Sequence, residues 1–222
     1  MSRFTGKTAL VTGSSNGIGR ATAVLFAKEG AKVTITGRNA QRLEETRQKI
    51  LKAGVPEDHV LSIVCDLNTE EGQDELINST IQRFGKLDIL VNNAGAAFND
   101  DQYKTGIEQD ISVYDKVMQI NMRSVVTLTQ KAEKYLIEAK GEIINVSSMA
   151  AGPQGYCRFI ESHKECLPSG KVGQPNDIAN IIAFLADRSV SSYIIGQTIA
   201  ADGGSTLVMG MQAHDMMDIL KS

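Results

Sequence analysis

The residues best suited to chemistry in this chain are glycines and polar groups set at the ends of apolar runs. Val11-Thr12-Gly13-Ser14-Ser15-Asn16-Gly17-Ile18-Gly19 joins the apolar, β-branched run from Lys7 to Val11 to a stretch in which Ile18, Ala21, Thr22 and Leu25 recur at helical spacing. A glycine-rich turn between a strand and a helix leaves backbone N–H groups unpaired at the positive end of the helix. Glycines there let a pyrophosphate approach without a Cβ in the way. A tight turn followed by a capped helix would use the same glycines, so the trio at 13, 17 and 19 leaves both readings open. Other polar groups end the later apolar runs: Arg38, Asp66, Asn92 with Asn93, and Ser148. Cys157, His163 and Cys166 are metal-ligating types, but no fourth ligand stands at a zinc-like spacing, so no metal site is expected.

The elements that must position these groups follow from periodicity. Strands are predicted at 7–11, 32–36, 60–65, 87–91 and 142–146. Between them lie helices closed by Gly30, Gly54, Gly85 and Gly141. Thr69 is placed to cap the third helix, and Ser112-Val113-Tyr114-Asp115 resembles a capping box opening a long helix that runs to Gly141. Strand alternating with helix five times, with strands apolar on both faces, predicts an α/β, Rossmann-type doubly wound parallel sheet. Ligands of such sheets bind beyond the carboxyl ends of the strands, which is where the polar groups converge.

With 222 residues, 42% of them hydrophobic, the chain suits a single domain spanning 1–222. A net charge of −3 and the absence of a Lys/Arg cluster argue against nucleic acid or an anionic membrane as partner and favour a small molecule. No apolar leader precedes the first strand and no run is long enough to span a bilayer, so a cytoplasmic location is expected. Three cysteines without a CxxC suit a reducing compartment.

Thr12-Gly13-x-x-x-Gly17-x-Gly19, Asn92-Asn93-Ala94-Gly95 and Asn145-Val146-Ser147-Ser148, in that order, resemble the classical short-chain dehydrogenase/reductase family. The resemblance covers 7–148 and resumes over 173–204, where Gly173-Gln174-Pro175-Asn176-Asp177-Ile178-Ala179 looks like the family's final helix and Gln197 to Ala201 its last strand. It implies that Gly13, Gly17 and Gly19, with Ser15, Asn16 and Ile18, cradle a nicotinamide cofactor's pyrophosphate. Asp66 and Leu67 would hold the adenine, and Asn93, Ala94 and Gly95 the adenosine ribose side. NAD-binding relatives place an acid after the second strand to hold the ribose 2′-OH. Here Gly37 and Arg38 stand there, and a guanidinium pairs with a 2′-phosphate, so NADP(H) is expected over NAD(H).

For catalysis the family uses an Asn, a Ser, a Tyr and a Lys; Asn121 and Ser148 match the first two. The Tyr-x-x-x-Lys pair is absent, because none of the five tyrosines has a lysine four residues on. Only 24 residues separate Ser148 from Gly173, fewer than the roughly 30 a βαβ unit takes. An internal block is therefore predicted to be missing near Phe159, and with it one strand, the catalytic helix and the helix through which relatives form homo-oligomers. By resemblance the function is an NADP(H)-dependent oxidoreductase interconverting an alcohol and a ketone or aldehyde. The alternative is a non-catalytic NADP(H)-binding or partner-binding module.

Overall fold

A computed structural model describes residues 2–98, 108–148 and 167–207. Five strands, β1 (Thr8–Val11), β2 (Lys32–Gly37), β3 (Val60–Val64), β4 (Ile89–Asn92) and β5 (Glu142–Asn145), form one parallel sheet in the order β3-β2-β1-β4-β5. Val11 stands between Ile35 and Val91, and Asn92 is level with Asn145. The expected Rossmann-type fold is present. The order in which strands are added changes direction between β1 and β4, the point at which doubly wound sheets open a ligand crevice.

Helices α1 (Gly17–Lys28) and α2 (Ala40–Lys52) cover one face together with α6 (Pro175–Ala186), which packs on α1 and β5. The other face carries α3 (Glu70–Phe84) and α5 (Ser124–Ala139), the latter preceded by α4 (Ile111–Met118). Alternation along β1 divides the core accordingly. Ala9 and Val11 join Phe26, Ile35 and Ile182 on the first face, while Leu10 joins Leu76, Leu90 and Leu128 on the second. Phe4 closes the first core edge-on against Phe26, ring centres 4.8 Å apart. Beneath the sheet, the buried Asp88 carboxylate accepts from the Thr8 N–H at 2.8 Å and pairs with Lys7 and Lys86, which locks β1 beside β4.

Three expectations need correction. The cap of the long helix is Asp110, whose carboxylate accepts from the Ser112 N–H at 2.8 Å, and not a box at Ser112; the aspartate reaches the first free amide of the turn two residues earlier. The long helix is also not continuous, since Gln119–Arg123 form a π-helical turn between α4 and α5. Residues 197–201 form no strand and are exposed. A strand exists through its ladder, and the neighbour that would supply one falls in the block predicted to be missing. β5 is consequently the sheet's margin among the described residues, with Ile143 45% exposed.

Candidate functional site

The glycine turn is built by polar side chains fixing its backbone from three sides. Below it, the buried Thr12 hydroxyl oxygen accepts from the N–H groups of both Asn93 and Ala94 at 2.9 Å. The Asn93 amide in turn donates to the carbonyls of Thr12 and Gly13. These bonds draw the ends of β1 and β4 together so closely that Gly19 lies against the Gly13 carbonyl and Asn93, with no space for a side chain. On the β2 side, Ser14 exchanges bonds with Thr36: its Oγ accepts from the Thr36 N–H at 2.8 Å and its N–H donates to the Thr36 carbonyl at 3.0 Å.

The start of α1 is left open. Asn39, Thr69 and Asp110 each accept from a first-turn amide of the helix they precede, whereas Asn16 places no side chain over α1. No acidic residue occupies its first turn. At Gly17, held at φ +55, a Cβ would meet nothing within 4 Å. Uncapped amides at a positive helix end facing open space suit an anion.

Beside this turn lies a cleft of about 250 Å³. Nine of the twelve residues expected to hold a cofactor line it: Gly13, Ser15, Asn16, Arg38, Asp66, Leu67, Asn93, Ala94 and Gly95. Gly17, Ile18 and Gly19 stand behind as the start of α1. Gly37, named above beside Arg38, also lines it, as do Cys65, Ala96 and Ile120, which sequence reasoning missed because they carry no distinctive charge or motif. Arg38 is exposed and makes no hydrogen bond or ion pair to the described residues, so its guanidinium is available. Burial raises the Cys65 thiol pKa, an effect only partly offset by its contact with the Thr36 hydroxyl. An open cradle, an uncapped helix and an unengaged guanidinium fit the phosphates of a dinucleotide.

The expected catalytic residues are arranged differently. Asn121 sits in the π-turn and grips the loop after β4: its Oδ1 accepts from the Ala96 N–H at 2.9 Å and its Nδ2 donates to the Ala96 carbonyl at 2.8 Å. Its neighbour Ile120 lines the cleft but Asn121 does not. Ser148 is exposed just past β5, likewise outside the lining. Tyr156 and Lys164, and with them Cys157, His163 and Cys166, lie outside the described residues. Among the described residues no cluster of potential metal ligands occurs, and no helix is long and apolar enough to cross a membrane.

Comparison with known proteins gives this geometry a lineage. A family model described as short chain dehydrogenase matches residues 7–160, and one described as enoyl-(acyl carrier protein) reductase matches 149–206. The 3-oxoacyl-(acyl-carrier-protein) reductase FabG of Rickettsia typhi is 32% identical, with 92% of this chain and 99% of that protein covered. A short-chain dehydrogenase/reductase of Caenorhabditis elegans, crystallised with cofactor, is 47% identical at a TM-score of 0.90, covering 96% of this chain and all of that one. A glucose dehydrogenase of Caenorhabditis elegans is 48% identical at a TM-score of 0.81, covering 92% and 99%. The FabG alignment runs over 253 positions, yet 92% of 222 residues is about 204, so about 49 positions are occupied by the relative alone.

Proposed function

The chain belongs to the short-chain dehydrogenase family, a family of oxidoreductases that bind NAD(P)(H), and from that premise we propose that it binds NADP(H) in preference to NAD(H) as a single dinucleotide-binding domain. Its lineage chemistry on this reading is the interconversion of an alcohol and a ketone or aldehyde. The observation that carries the preference is the exposed Arg38 guanidinium, which lines the cleft and bonds none of the described residues, where an acid would repel a 2′-phosphate. When bound, the nicotinamide supplies or takes up the hydride. The residues of this chain do the holding: the amides at the start of α1 would receive the pyrophosphate, Asp66 and Leu67 the adenine, and Asn93, Ala94 and Gly95 the ribose side. Asn121 fixes the Ala96 loop, and Ser148 would orient a substrate oxygen.

NADPH and NADH titrated by cofactor fluorescence test the preference. NADPH should bind about 10- to 100-fold more tightly, the worth of one charge-assisted pair, and Arg38→Met should remove most of that margin. Tighter binding of NADH would overturn the reading.

A second reading, a module that binds cofactor without turning over, is favoured by one specific feature. Reduction of a carbonyl needs a proton donor of lowered pKa beside the reacting oxygen, and no Tyr-x-x-x-Lys pair occurs anywhere in the 222 residues. The roughly fifty positions carried by FabG alone support the loss of a block, and the two family models meet at 149–160, where the sequence predicts it. NADPH binding with no NADPH oxidation across a broad carbonyl panel is the expected result. Robust turnover would sink this second reading.

A further inference from the structure

Arg38 stands at the corner between β2 and α2, and its guanidinium can read a phosphate only if that corner is held in register with the glycine turn. The strand side of the corner is held by the Ser14–Thr36 exchange. The helix side is held by Arg20, which projects from α1 with its side chain 15% exposed. Its Nε donates to the Thr46 hydroxyl at 2.9 Å, and that buried hydroxyl donates onward to the Ser14 carbonyl at 2.9 Å. Its Nη2 bridges the carbonyls of Ser15, in the turn, and Arg42, in the first turn of α2, the latter at 3.1 Å. Glu45 accepts from the same nitrogen at 3.0 Å and offsets the charge. One guanidinium therefore ties both arms of the cofactor cradle together, with its donors turned to protein acceptors rather than to the cleft.

We propose that Arg20 is a positioning residue for cofactor choice: by bridging Ser15, Arg42 and Thr46 it sets Arg38 against the glycine turn at the distance a 2′-phosphorylated dinucleotide needs. This rests on the NADP(H) reading above. The planar fork suits the task, because three acceptors in fixed directions are met by one rigid group, a geometry the single ammonium of lysine does not reproduce. A shell of this kind is what keeps a contact residue within about half an ångström of its productive place.

The test is a cycle on the full chain, with the Kd of NADPH and of NADH measured for wild type, Arg20→Met, Arg38→Met and the double variant. Arg20→Met keeps the unbranched stem and removes the donors; it should weaken NADPH at least about tenfold and NADH by less than about threefold. In the Arg38→Met background the same change should leave the NADPH/NADH ratio where Arg38→Met puts it. Arg20→Lys, the variant to read if Arg20→Met does not fold, should recover only part of the ratio. Equal weakening of both cofactors, an unchanged ratio, full recovery with lysine, or an undiminished effect without Arg38 would each overturn the proposal. If Arg38→Met alone leaves the ratio unchanged, the cofactor reading itself fails, which is a distinct result.

Discussion

Gly17 and Gly19 lie two residues apart and have to be glycine for different reasons. Gly17 needs its conformation, because φ +55 strains any side chain although the space beside it is open. Gly19 needs its size, because a Cβ there would sit 2.4 Å from the Gly13 carbonyl oxygen and 2.5 Å from the Asn93 amide nitrogen. Gly17→Ala should cost about 1–2 kcal/mol of stability and keep the fold, while the strain on the turn shifts the α1 amides and weakens NADPH binding. Gly19→Ala has to push backbone from backbone; it should cost about 1–3 kcal/mol and abolish binding as Asn93 is displaced. Thermal unfolding followed by NADPH titration separates the two. At this scale the sequence was readable wherever a residue type is nearly forced, as at the glycines, Arg38 and Asn93. It was silent on Arg20 and Thr46, whose bonds across the corner go to side chains and carbonyls more than twenty residues away. The double grip of Asn121 on Ala96 was hidden for the same reason.

Among the elements, the seam between β1 and β4 is what turns two strand ends into a cleft, and Thr12 fastens it. Thr12→Val preserves shape but leaves the N–H groups of Asn93 and Ala94 without their acceptor. The expected loss is about 1–3 kcal/mol, or about 2–4 °C in Tm for each kcal/mol in a chain of this size. Thr12→Ser keeps the oxygen and should recover most of the loss; differential scanning calorimetry on the pair checks both. Strands and helices themselves were legible because buried parallel strands and amphipathic helices have different periods. What escaped was set by contacts a linear reading does not contain. Asp110 caps α4 through the Ser112 amide, the π-turn at Gln119–Arg123 places Asn121 under the Ala96 loop, and residues 197–201 join no ladder among the described residues.

For the molecule as a whole, a ligand that binds only the folded chain raises its stability by mass action. NADPH at a hundred times its Kd should add about 2.7 kcal/mol to a cooperative unfolding transition, and NADH at the same concentration should add less. Absence of a cooperative transition, with or without NADPH, would mean that the chain is a misfolding fragment. The doubly wound plan was visible in the sequence from five strand–helix alternations, and the missing block before the last helix is a prediction from simple spacing. Substrate recognition was not visible, since the segment expected to carry it lies where the block is predicted to be lost. One packing feature reaches beyond the finished fold. Helix α6 rests on α1 and β5, yet every residue that lines the cleft precedes β5 in the chain. During synthesis the nucleotide cradle therefore leaves the ribosome complete, well before Ile182 and Ala183 arrive to cover α1. Until then the nascent chain carries a finished binding site on a half-dressed core, an interval in which chaperones and neighbouring chains compete for the same apolar face.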